Sequence, residues 1–189
     1  METNIEHLPN DQSETRNGSD KTHLSVVERY YKPKYILDCQ ANEDEDLCIL
    51  THSNRICIIT LAPTHPVVRD KKTIKQISFK VGGIDRLNNK VSGKGKRGAQ
   101  ELNAGSPICK IACVDGEEFT VYSGIKGQLI EVNECLIQNP ELILKKPLTE
   151  GYVAIVLPKL KDHEHVLKKL KTEEEYRQRR VHLSDAGGS

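Results

Sequence analysis

Three features of this chain predict a mainly β domain, a barrel or sandwich of short strands with helices appended at its C-terminal end. Apolar runs are short and bounded by Gly, Pro, Asn and Asp, which is the pattern of strands separated by turns. Two of the gaps between runs carry hairpin chemistry, at His52-Ser53-Asn54 and at Asp115-Gly116. Helical spacing of apolar residues and a helix-start signal are concentrated after Asp162.

In chain order, residues 1–24 are polar with few apolar side chains. Too little surface can be buried there to offset the entropy of ordering, so a disordered tail is expected. Ser25 to Tyr35 predicts a short amphipathic helix ending before Pro33, since the residue ahead of a proline is pushed out of the helical region. Leu47–Thr51 and Arg55–Thr60 follow as a hairpin. A turn on Ser53-Asn54 sets Cys48 opposite Ile59 and Leu50 opposite Cys57, with all four on one face. Pro63 and Pro66 end that unit, and Lys72 to Val81 alternates apolar and polar residues as a half-exposed strand does. A basic loop, Leu87 to Gln100, contains Gly93, Gly95 and Gly98.

A second hairpin has arms Pro107–Val114 and Glu117–Tyr122 and turns on Asp115-Gly116, a dipeptide that tolerates positive φ at both positions. Gly127–Val132 reads as a strand, Asn133–Asn139 as a helical turn and Gly151–Pro158 as a buried strand. Asp162–Lys171 places Val166, Leu167 and Leu170 on one side of a helix. Thr172-Glu-Glu-Glu175 is a capping box that opens a last helix through Arg180. The domain expected is therefore a single one over residues 25–180, with 181–189 as a flexible tail.

Several function classes find no support. Six cysteines are scattered without a Cys-x-x-Cys pair, so they read as reduced core thiols. The longest apolar runs, Ile56–Ala62 and Tyr152–Leu157, are far shorter than the ~18 residues of a membrane span. The polar N-terminus gives the expectation of a soluble, unsecreted protein, with Asn17-Gly18-Ser19 a flexible turn and not a glycosylation site. Hydrolase and zincin motifs are absent, and Ser92-Gly93-Lys94-Gly95-Lys96 lacks the spacing of a phosphate-binding loop, so no catalytic residue is nominated. His163 and His165 lie two apart on a helix, where side chains diverge, so no metal or other cofactor is expected.

Charge is informative in its distribution. From Arg69 to Arg97 there are ten Lys or Arg against two Asp, a local +8 in a chain whose net charge is only +1. Within it, Arg86 to Gln100 holds five cations and no carboxylate: Arg86, Lys90, Lys94, Lys96 and Arg97. These are the candidate partner-binding residues, suited to an acidic protein surface or a polyanion. Nucleic acid is the alternative partner, although no aromatic residue stands in the stretch to stack on bases.

Ser123-Gly-Ile-Lys-Gly-Gln-Leu-Ile-Glu-Val-Asn-Glu134, Asn139-Pro-Glu-Leu142 and Glu150-Gly-Tyr-Val-Ala-Ile-Val156 resemble, in type and order, the second half of a glycine cleavage H-protein. That resemblance implies a barrel-sandwich hybrid of the lipoyl-domain type. In that family a lysine seven residues before the serine carries lipoic acid; here the position is Gly116. The nearest amines, Lys110 and Lys126, stand away from the hairpin tip, so a lipoyl carrier is the least favoured reading and no cofactor is implied. The tip itself becomes acidic, with Asp115, Glu117 and Glu118.

Residues 25–176 as a whole resemble the Abitram (Simiate) family of actin-binding transcription modulators. The matching stretches are Val27–Pro33, Cys48–Cys57, Asn89–Gln100, Asp115–Glu118, Thr149–Tyr152 and Val156–Lys159. The resemblance implies a non-enzymatic protein that binds monomeric and filamentous actin and shapes filopodia and dendritic branches. It also implies residence in nuclear speckles as well as in the cytoplasm and cell projections. No family motif marks the actin-contacting residues, so the nomination of the basic stretch rests on charge alone.

Overall fold

Strands dominate the computed structural model, which describes residues 26–184. The tail expected over residues 1–24 and the end of the chain from 185 lie outside the described residues. The strands are β1 (Tyr31–Ile36), β2 (Leu47–His52), β3 (Cys57–Leu61), β4 (Ile74–Ser78), β5 (Lys80–Val81), β6 (Ile84–Asp85), β7 (Glu101–Leu102), β8 (Pro107–Cys113), β9 (Glu118–Tyr122), β10 (Gly127–Val132) and β11 (Ala154–Leu157). The helices are α1 (Val26–Tyr30), α2 (Pro66–Arg69), α3 (Cys135–Gln138), α4 (Leu142–Lys145), α5 (Leu160–Lys169) and α6 (Glu173–Ser184).

One six-stranded sheet runs β1-β2-β3-β11-β10-β7, a second runs β4-β8-β9, and β5 pairs with β6. All pairings are antiparallel. The large sheet ends on β1 and β7, so among the described residues the strands form open sheets and no closed barrel. A common core joins them. Ile49, Ile59, Leu129 and Val156 from the large sheet meet Ile77, Ile108 and Ile111 from the second, all at most 1% exposed.

Local signals explain most of these elements. From Gln76 to Val81 the period-two pattern holds, with Ile77, Phe79 and Val81 buried and Gln76 and Lys80 exposed. The single strand expected over Lys72–Val81 is, however, bulged between Ile74 and Gln76, leaving Lys75 exposed as well, and bends at Phe79 into β4 and β5 of different sheets. The capping box closes in both directions: Thr172 N–H donates to Glu175 Oε2 (2.7 Å) and Glu175 N–H donates to Thr172 Oγ1 (3.2 Å). Helix α6 extends beyond the expected boundary at Arg180, so residues 181–184 are helical and not tail.

Three expectations change. Only Val26–Tyr30 of the predicted first helix is helical, and Tyr31–Ile36 is a strand that contains Pro33. Tyr35 exchanges both backbone hydrogen bonds with Lys171 on the side away from β2 (2.9 Å each). Pro33, two residues away, faces the same outer side, where its missing N–H removes no bond to β2.

The β2–β3 hairpin is one residue out of the predicted register, with Cys48 opposite Thr60 and Leu50 opposite Ile58. Arg55 adopts φ 75°, and its N–H donates to His52 O while His52 N–H donates to Ile56 O. The loop is thus Ser53–Arg55, longer by one than a Ser53-Asn54 turn. The predicted one-faced set divides: Cys57 and Ile59 enter the main core, while Cys48 and Leu50 pack with Tyr35, Ala62 and Tyr176. Nearly all of β2 is buried because Tyr176 of α6, with Tyr35 and Ala62, packs on its outer side, and alternation cannot reveal a strand buried on both sides.

At the other hairpin Gly116 alone takes positive φ (93°). Its N–H donates to Cys113 O and Cys113 N–H donates to Glu117 O, so three residues, Val114–Gly116, close the loop.

Helix α6 is fastened to the body by polar and aromatic contacts. Tyr176 stacks on Tyr35 with centroids 4.0 Å apart and planes within 6°. The Tyr176 hydroxyl shares a hydrogen bond with Thr64 Oγ1 (2.8 Å) and accepts from Thr64 N–H (3.2 Å). Arg180 reaches Asp38, Asp44 and the fully buried Asp46 at 2.5–2.9 Å.

A pH dependence arises at the start of α2, where buried His65 accepts the N–H of Val67 through Nδ1 (3.2 Å). Burial lowers its pKa to about 4. The unfolded chain therefore takes up a proton at His65 before the folded protein does, and stability falls as pH drops from about 6.5 towards 4. The full loss is about 3 kcal/mol. Urea denaturation of the protein and of His65→Asn across that window checks this: the variant should lose the additional slope, and parallel curves would reject the assignment.

Candidate protein-interaction site

The cationic loop is built from a tight hairpin outward. β5 and β6 turn through Gly82 and Gly83, both at positive φ (59° and 76°), as a two-residue hairpin of that hand requires. Arg86 follows, and the expectation for it is corrected. It is 3% exposed, with Nε donating to Pro107 O (2.9 Å) and Nη1 to Gln100 Oε1 (2.7 Å). Burial also lowers its pKa. Arg86 is a strut beneath the loop, out of a partner's reach.

The neck of the loop is fixed by amides. Asn89 Nδ2 donates to Leu129 O (2.8 Å), Asn89 Oδ1 accepts Gln100 N–H (2.9 Å), and Gln100 Nε2 donates to Asp85 O (2.9 Å). Sequence reasoning missed these two residues, since nothing in their spacing signals partners up to 40 positions away. Above the neck, Ser92 and Arg97 exchange backbone hydrogen bonds (3.0 and 2.9 Å), and Lys96 N–H donates to Gly93 O (3.1 Å). Gly98 sits at φ 80°, where a Cβ would lie 2.3 Å from Lys90 O. Only glycine fits that crossing.

Four of the five nominated cations share this loop. Lys90, Lys94 and Arg97 are exposed and Lys96 is half-buried. None of the four forms an ion pair among the described residues. The rest of the basic segment is partly neutralised. Arg69 pairs with Asp44 and Asp70, and Lys72 Nζ bonds Asp115 Oδ2 (2.8 Å) and reaches Glu117.

That last contact decides the character of the hairpin tip at Gly116. Its hydrogen bond with Lys72 is the main reason the Asp115 carboxyl titrates below its ordinary range. The tip presents no amine, and its acidity is offset by a lysine 43 residues away in sequence. The other lysines near it are also engaged, Lys110 with Glu118 (2.5 Å) and Lys126 with Asp162 (3.4 Å). Five of the six cysteines are core thiols as expected, and burial pushes Cys39 up to about 11 and Cys48 and Cys57 up to about 12, which makes those three poor nucleophiles; Cys135 differs in being exposed, at the start of α3. His163 and His165 stand on α5, and the described residues hold no group of three or more side chains placed to bind a metal.

The chain is 54% identical over 153 residues to Protein Abitram of Xenopus tropicalis, covering 80% of this chain and 84% of the relative. Protein Abitram of Homo sapiens is 50% identical over the same length, with the same coverage of each. The chain belongs to the Abitram family. Family membership reaches far, since Protein Abitram of Dictyostelium discoideum is 39% identical over 141 residues, covering 73% of this chain and 78% of its own. Residues 63–182 also match the family model described as Glycine cleavage H-protein. A solved glycine cleavage system H protein from Mycobacterium marinum superposes with a TM-score of 0.54 at 14% identity, covering 79% of this chain and 97% of that one. At that identity the likeness establishes the H-protein fold and nothing about chemistry.

Proposed function

We propose that this Abitram-family protein is a non-enzymatic actin-binding module that grips an acidic surface of monomeric and filamentous actin with Lys90, Lys94, Lys96 and Arg97. On this reading it modulates polymerisation, filopodia and dendritic branching, and it works in nuclear speckles as well as in the cytoplasm and cell projections. The observation that carries the reading is the set of cations without carboxylate partners among the described residues, raised on a loop whose neck is rigid. A partner's carboxylates then meet charges that need not first break an internal pair. The family association with actin described above supplies the partner.

Cosedimentation with actin filaments tests it. Binding is expected at low salt and should weaken at moderate salt, because exposed charges are screened. Reversal of Lys94, Lys96 and Arg97 to Glu should weaken binding about tenfold or more, each tenfold being about 1.4 kcal/mol. No cosedimentation at low salt would defeat the proposal; unchanged affinity of the reversed variant would move the contact elsewhere. Duplex DNA serves as the competitor: about four neutralised phosphates give a log–log salt slope near −3.6. Tighter binding to DNA than to actin, with that slope, would favour the nucleic-acid reading instead.

A further inference from the structure

We infer that Ser92 is a phosphorylation site for a basophilic protein kinase, and that a phosphate there switches the cationic loop off. The inference deepens the proposal above, because it takes Lys90, Lys94, Lys96 and Arg97 as the contact. Ser92 is exposed at the foot of the hairpin and holds the loop through its backbone, not its side chain. Lys90 stands two residues before it, Lys94 two after, and Lys96 and Arg97 follow. Cations on both sides of a free hydroxyl are what an acidic substrate cleft recognises.

The local mechanics also suit a kinase, which takes its acceptor segment in extended form. The tip of the loop is closed by three backbone hydrogen bonds, Ser92 to Arg97 in both directions and Lys96 to Gly93. These lie at the surface among glycines, so opening them has a low free-energy cost, while the Asn89–Gln100 neck stays closed. Thr73 is the nearest rival, exposed between Lys71, Lys72 and Lys75. Its carbonyl, however, accepts Val114 N–H (2.9 Å), Ile74 beside it begins the pairing of β4 with β8, and Lys72 is held by Asp115 and Glu117. Extending Thr73 into a cleft would pull a strand off its sheet.

In the transfer, the bond between the γ-phosphorus of ATP and its bridging oxygen breaks, a bond from Ser92 Oγ to that phosphorus forms, the hydroxyl proton passes to the kinase's carboxylate, and ADP leaves. The product carries a charge of about −1.5 to −2, so a loop of four cations keeps about half its charge. The phosphate oxygens also draw the neighbouring Lys and Arg side chains away from a partner.

The test incubates the full chain with ATP and the purified catalytic domain of a basophilic kinase, maps the phosphate by intact mass and peptide analysis, and then measures filament cosedimentation. Expected is one phosphoryl group at Ser92, absent from Ser92→Ala and retained in Thr73→Ala, with filament affinity at least tenfold weaker after modification. Phosphate only at Thr73 or elsewhere, or none, would overturn the site; a phosphorylated Ser92 with unchanged affinity would overturn the switch. If the unmodified chain does not bind filaments, the actin reading fails and the switch with it, while the phosphate map still decides whether Ser92 is the site.

Discussion

Asp46→Ala should destabilise the fold by about 3–5 kcal/mol, the range for removing one partner of a buried ion pair. Asp46 is fully buried, and its two carboxylate oxygens accept from Arg180 Nη2 and Nε (2.5 and 2.7 Å), from Asp38 N–H (2.8 Å) and from Thr64 Oγ1 (2.6 Å). Alanine leaves these donors facing a cavity. The same residues join α6 to the loop between β1 and β2, so the damage should be local first. Amide exchange over residues 173–180 should accelerate along with the fall in urea midpoint. Arg180→Ala combined with Asp46→Ala should cost clearly less than the sum of the two, as coupled partners do. Additive losses, or an Asp46→Ala effect below about 1 kcal/mol, would show that the network contributes little.

Phe79→Ala should cost a comparable amount, about 3–5 kcal/mol, through lost burial and the cavity left behind. Phe79 is 1% exposed between β4 and β5, within the core shared by the two larger sheets, and its carbonyl accepts Arg86 N–H (3.0 Å). For a domain of this size, a loss of that order lowers the thermal midpoint by about 10 °C. Reversal of Lys94, Lys96 and Arg97 to Glu should stay within about 0.5 kcal/mol of the unaltered protein, as surface changes do. The contrast separates folding from binding. If the reversed variant melted as early as Phe79→Ala, its weaker binding would no longer report on the contact.

Much of the fold was legible residue by residue. The alternation over Gln76–Val81, the Thr172–Glu175 capping box and the glycine at the Asp115-Gly116 turn each depend on neighbours a few positions away, and the structure contains all three. The register of the β2–β3 hairpin was not legible, because it hangs on Arg55 entering the left-handed region, which only glycine, Asn and Asp signal with any regularity. Strand β1 was hidden by Pro33, which in most contexts argues against a strand and is tolerated here at an outer edge.

The candidate site shows the same division. Its position in the chain, its glycines and its excess of positive charge stand in the sequence. Arg86 counts there as one more cation, yet two acceptors 14 and 21 residues away hold it beneath the loop. Lys72 and Arg69 add to the same basic run, and carboxylates 43 and 25 residues away pair with them.

By itself the sequence determined that strands and turns dominate, that two helices end the domain, expected from Asp162 and from Thr172, and that no amine stands at Gly116. These are outcomes of backbone propensity, side-chain period and residue identity, which act over a few residues. Only the tertiary structure decided which positive charges remain available to a partner and which face of β2 meets which core. Both depend on groups brought together from distant parts of the chain, as Asp46 and Arg180 are across 134 residues, and no local pattern records where a charge will find its partner.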